Sequence, residues 1–249
     1  MSVNIHGSPI LYTIPVLGGI NITSTLVITW CVMIALTLLC RWLTKDLKVK
    51  DISKRQAVAE YLVRMAENFV LQNMGESWGR YVPFIAAIFS LSICSSLTSL
   101  LGLHPPTGDI STELAWAIVV FVLITYHNIK SSGLGGYLKG FTEPIFLMTP
   151  FNVLGELFKP VSMSFRHFGN IVSGVVISAL VYTGLMSVNH MLFGLLPGKV
   201  GELLGSIPFL AVGVPAVLSL YFDWFSSFMQ AFIFCVLTMV FISSAAGEE

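Results

Sequence analysis

Five apolar stretches dominate this chain, and the last two run on for about forty residues each with no polar turn. About twenty apolar residues already span a hydrocarbon core of about 30 Å as a helix. A backbone in lipid must satisfy its own hydrogen bonds, which leaves helices and closed barrels as the spanning structures. Stretches this long, without two-residue alternation, favour helices. Composition agrees: 55% of the 249 residues are hydrophobic and 10% charged, where a soluble domain carries about 25% charge. The reading is an all-α polytopic membrane protein, a single membrane domain over residues 1–249. It has about five transmembrane crossings plus an amphipathic surface helix.

The crossings are expected at 20–40, 81–103 and 113–130, followed by two long stretches at 147–196 and 207–245. Residues 57–74 differ. Val58, Tyr61, Leu62, Met65 and Phe69 recur at helical spacing with Glu60, Arg64, Glu67 and Gln72 between them, the pattern of a helix lying on a membrane or on other helices. Forty helical residues reach about 60 Å, twice the core thickness. Each long stretch therefore holds two crossings or one strongly tilted helix. The absence of a polar turn favours two tilted helices in a hairpin, broken at Pro197-Gly198-Lys199, with Pro215 a candidate kink. The Gly-rich run Ser131–Gly136 reads as a link. Cys31, Cys40, Cys94 and Cys235 lie in apolar segments without metal-ligand spacing and read as packing residues.

Six basic residues between Arg41 and Arg55 mark the cytoplasmic side. The N-terminus and the Lys- and Arg-free loop 104–113 are then outside, Lys130 and Lys139 inside, and the C-terminus cytoplasmic; Lys199 is the one exception. The N-terminal residues carry neither a basic region ahead of an apolar core nor an Arg-rich amphipathic pattern, so the first stretch is expected to remain in the mature protein.

Arg166 is the costly residue. A permanent cation at the centre of a membrane helix costs roughly 2.5–3.5 kcal/mol on insertion scales, so it must face water, a carboxylate, or both. Asn170 lies one turn further along the same face, continued by Ser173, Gly174 and Ile177. On the last stretch Asp223, Ser226, Ser227 and Gln230 form a second polar stripe. Two readings stand: Arg166 and Asp223 neutralise each other as a buried pair, or the stripes line an ion path. Glu143 and Glu156 lie near the cytoplasmic entry, either at the mouth of an aqueous funnel or, for Glu156, paired with Lys159. Pro160 reads as a kink. His167 is expected to pack or bond locally rather than to relay protons. His127 and His190 read as interfacial, and His104 as solvated.

At these residues the chain resembles subunit a of the F-type ATP synthase. The likeness rests on Pro105-Pro106-Thr107-Gly108-Asp109, Ile129–Gly136, Pro150-Phe151-Asn152, Lys159–Asn170 with its Arg166-His167-Phe168-Gly169-Asn170 core, and Gln230–Thr238. It implies that Arg166 faces the carboxylates of a rotating c-ring, with Asn170 and Gln230 beside it on the ion path, and Asp223 where the family has an ionisable residue in the outer half-channel. Two positions depart from the family. His167 stands where Leu is common, and Val175 where a Glu is common; Asp223 is expected to supply that acid.

The resemblance implies a non-catalytic stator channel. It would pass protons, or Na⁺, through two offset half-channels to the c-ring, coupling ion flow to rotation and ATP synthesis in a bacterial plasma (inner) membrane. Its partners would be the c-ring, the peripheral-stalk b subunits and lipid. No cofactor, metal, nucleic acid or direct nucleotide binding is expected. A self-contained secondary transporter would be expected to show internal repeats, and none is visible. A purely structural anchor would not need Arg166, Asn170, Asp223 and Gln230 at such depth.

Overall fold

A computed structural model describes residues 8–15, 20–194, 217–218 and 220–247. Its described part is almost wholly helical, with five helical spans long and apolar enough to cross a membrane. The first element is not helical. Strands β1 (Ile10–Ile14) and β2 (Ile20–Thr23) form an antiparallel hairpin. The first crossing thus starts later than the hydropathy pattern places it. Helix α1 (Ser24–Leu43) begins after Thr23, whose hydroxyl accepts the Leu26 N–H at 3.4 Å.

Helix α2 (Lys54–Met74) is capped by the Ser53 hydroxyl, which accepts from Gln56 N. Its first half exposes Val58, Tyr61 and Met65, while Val70 and Met74 near its end are buried. It is both a surface helix and a packed one. Helix α3 (Val82–Leu97) is entered and left through 3-10 turns, Glu76–Tyr81 and Thr98–Leu101, so the second crossing is a composite.

Helix α4 (Ile110–Gly140) starts at Asp109, whose Oδ1 accepts the Ser111 N–H at 3.0 Å. The Gly-rich run inside it is not the expected link. The chain stays helical on both sides of a break at Gly133, with φ 70° and ψ 163°, a conformation essentially only glycine adopts. Helix α5 (Thr149–Gly194) runs through Pro160 as a single helix of 46 residues, about 70 Å long. This favours one long helix over two crossings. Helix α6 (Ser227–Ala246) follows a π-helical turn, Leu220–Ser226. The break at 197–199 and Pro215 lie outside the described residues.

Helix α6 sits innermost, against α2, α3, α4 and α5. Phe234, Cys235, Met239 and Ile242 on it pack with Val70, Ile85, Ala117, Val120, Ile124 and Met163. Cys235 fills core space, with Sγ 3.9 Å from the Ile85 carbonyl oxygen. His127 is buried, 4% exposed, hydrogen-bonded through Nε2 to the Tyr81 hydroxyl and set against Trp78. His104 and His190 are exposed. At the other end of α4, Thr25 donates to Asp109 Oδ2 at 2.8 Å. That bond brings the starts of α1 and α4 and the loop between α3 and α4 to one side, while the basic run follows the far end of α1.

Candidate functional site

Arg166 is exposed on α5, and among the described residues its guanidinium joins no ion pair or hydrogen bond. The polar residues after it satisfy their own helix. The Asn170 amide donates to the Arg166 carbonyl at 2.9 Å, and the Ser173 hydroxyl donates to the Asn170 carbonyl at 3.1 Å. This is how short polar side chains are tolerated mid-helix, each returning its proton to the preceding turn.

Helix α6 supplies the opposite wall. Gln230, Ile233, Phe234 and Leu237 enclose a cavity of about 10 Å³ with Met163, Arg166 and His167 of α5. That is about the space one water requires. Two of the expected site residues, Arg166 and Gln230, therefore share one small space. Gly174 allows the π-helical turn to approach, since a Cβ there would lie 3.1 Å from the Phe222 ring. Ser227 is buried and Ser226 half-buried. The backbone of Asp223 belongs to the π-helical turn; its side chain lies outside the described residues.

Glu143 and Glu156 both meet lysines. Lys159 Nζ is 2.6 Å from Glu156 Oε2, and Lys139 Nζ is 3.8 Å from an exposed Glu143. For Glu156 the local pair expected from its spacing is formed, although Glu156 Oε1 is buried without a hydrogen bond among the described residues. Val175, at the position where an acid is common, is 48% exposed on α5.

His167 packs, as expected, but against other helices rather than within its own. It neither bonds within its own helix nor faces outward. Its Nδ1 lies 3.0 Å from Glu113 Oε2 of α4, the two side chains being 2% and 0% exposed. Its ring packs on Phe234, with centroids 6.2 Å apart. The distance is that of an ion pair, while all four polar atoms of the pair lack a hydrogen-bond partner among the described residues. Sequence reasoning missed Glu113, because one acid just past a loop reads as solvated. The available signal was a histidine one position after Arg166, in a segment too apolar to leave it unpartnered.

A family model described as ATP synthase A chain matches residues 26–243. The chain belongs to this family. Subunit a is its ion-translocating stator component in the F-type synthase. Named relatives agree over nearly full length. ATP synthase subunit a of Desulforamulus reducens is 33% identical over 235 residues, covering 93% of this chain and 82% of that protein. The sodium ion specific subunit a of Propionigenium modestum is 30% identical, covering 92% and 76%. Subunit a 1 of Chlorobaculum parvum is 32% identical, covering 92% and 90%.

Proposed function

We propose that this subunit a forms two offset half-channels that load and unload carboxylates on a rotating c-ring, with Arg166 as the fixed charge between them. The observation that carries this reading is the exposed guanidinium, unpaired among the described residues, beside Gln230 and a water-sized space. A cation in lipid is costly, so an outward-facing one calls for a partner carboxylate, and the apolar side chains exposed on α5, the π-helical turn and α6, such as Phe165, Trp224 and Phe228, suit a membrane-embedded partner.

An ion entering from outside past Asp223 neutralises a rotor carboxylate, which can then turn through lipid. After nearly a full turn it meets the inner path, near Glu156 and Glu143, and releases the ion. The recharged carboxylate passes Arg166 by attraction, while the same cation breaks the water path between the two sides. Asn170, Ser173, Ser226, Ser227 and Gln230 line this path, and each charge moved across 100 mV supplies about 2.3 kcal/mol. The subunit performs no ATP chemistry itself; the catalytic sector and the peripheral-stalk b subunits complete the motor. The membrane is the bacterial plasma membrane, with the N-terminus outside and the C-terminus inside.

The test is ATP-driven pumping by the complex reconstituted in vesicles. Arg166→Ala is expected to abolish coupled pumping and ATP synthesis while the subunit still co-purifies with the c-ring. Arg166→Lys is expected not to restore coupling, because a compact ammonium does not reproduce a planar guanidinium. Loss of the subunit from the complex in Arg166→Ala would sink the reading in favour of a structural role. The ion is the proton in this reading. Running the same vesicles with and without Na⁺ decides between it and Na⁺, the ion in the name of the Propionigenium relative.

A further inference from the structure

We infer that His167, held by Glu113, exchanges protons with water on the outer approach to Arg166. This rests on the proton form of the function proposed above and adds to it a station on α4 and α5 that the arginine, the amides and Asp223 do not provide.

The pair sits inside the protein, with Glu113 0% and His167 1% exposed. Two ionisable groups buried in a membrane bundle, 3.0 Å apart, are an expensive way to fill space, and apolar residues of like volume commonly serve stability as well or better. Their arrangement has a use. A carboxylate at Nδ1 orients an imidazole and stabilises its protonated form, leaving Nε2 to exchange the proton. Here the Nδ1 side faces Glu113, and Nε2 is buried without a hydrogen-bond partner among the described residues. His167 also lines the water-sized space it shares with Arg166 and Gln230.

The approach from the loop side is polar as well. Ser96 and Thr107 hydroxyls are buried and 3.0 Å apart, and Ser92 and Ser95 hydroxyls are buried without partners among the described residues. Gly108 in that loop lies against Ile171 of α5. The loop thus reaches the stretch of α5 that carries His167.

The step balances simply. Neutral His167 takes one proton from a hydronium ion in the entering water, leaving a water molecule, and becomes an imidazolium beside the Glu113 carboxylate. It then returns that proton to water in the space beside Arg166. One proton enters, one leaves, and no other bond changes.

Several other ionisable groups on the surrounding elements have partners among the described residues. Asp109 accepts from Thr25 and Ser111, Glu156 pairs with Lys159, His127 bonds Tyr81, and the Cys235 thiol faces the Ile85 carbonyl. Arg166 is the charge adjoining His167 in sequence. It opposes the imidazolium, and Glu113 offsets it. Glu113 is a positioning residue in this scheme and His167 the exchanging one.

The test is passive proton flux through the membrane sector in sodium-free vesicles, with the catalytic sector removed, across about pH 5 to 9. Assembly is scored by co-purification with the c-ring. His167→Gln is expected to assemble and to lose about tenfold or more of the flux. In Glu113→Gln the pH profile of flux is expected to move toward acid pH, because the imidazolium has lost its carboxylate. Should either single variant not assemble, the double variant Glu113→Gln/His167→Gln, with two amides in place of the pair, is measured instead and should likewise lose about tenfold or more of the flux. Variants that assemble and conduct like the unaltered sector at every pH overturn the inference, as does loss of assembly in the singles and the double alike. Failure of the underlying reading looks different: the unaltered sector passes no protons, or Arg166→Ala still couples ATP synthesis.

Discussion

Replacing Glu113 separates what the pair does for stability from what it does for transport. Glu113→Leu strands a buried imidazole and is expected to cost about 3 kcal/mol, whereas Glu113→Leu/His167→Leu should return to within about 1 kcal/mol of the unaltered protein. Unfolding of the purified complex in a detergent titration measures both. The double variant is expected to remain folded and still conduct poorly, since apolar packing replaces the pair's volume but not its proton. Arg166 was legible at this scale, because its cost in lipid is written in its residue type. Glu113 was not. Its partner lies 54 positions away (167 − 113) on another helix, and only packing discloses that the two meet. His167 was read as a local residue for the same reason: a helical wheel places it about 100° from Arg166 but cannot say which helix stands there.

At the scale of elements, α5 and the π-helical turn touch where neither has room to spare. A Cβ at Gly174 would lie between 3.1 and 3.3 Å from three atoms of Phe222. Gly174→Val is therefore expected to separate them, costing about 1–3 kcal/mol and lowering ATP-driven pumping. Phe222→Leu in the same chain should recover part of both, as read by detergent unfolding and a vesicle pumping assay. If the double variant is no better than Gly174→Val alone, the contact does not set the spacing. The sequence located the small residues of α5 and the polar stripe opposite. It could not foresee the π-helical turn, because an extra residue in one turn leaves no mark in hydropathy. The break inside α4 was legible as a glycine-rich run but not as a kink. The glycines permit either, and packing of both helical halves selects one.

For the whole molecule, the Thr25–Asp109 bond and the basic run at the far end of α1 tie the two ends of the bundle to opposite sides. Single cysteines placed in a chain whose native four are replaced should report this. Val49→Cys, at a position 97% exposed, is expected to label with a membrane-impermeant maleimide only from the cytoplasmic side, and Leu101→Cys, 76% exposed, only from outside. The opposite pattern would invert the half-channels and place His167 on the inner path. The sequence by itself determined that this is a helical membrane protein of the subunit a family with a cation it must use, because hydropathy, residue charge and motif order are local properties of the chain. Tertiary structure alone decided what stands around that cation. It turned His167 inward and buried Glu113 against it, because distances between helices depend on how their faces pack.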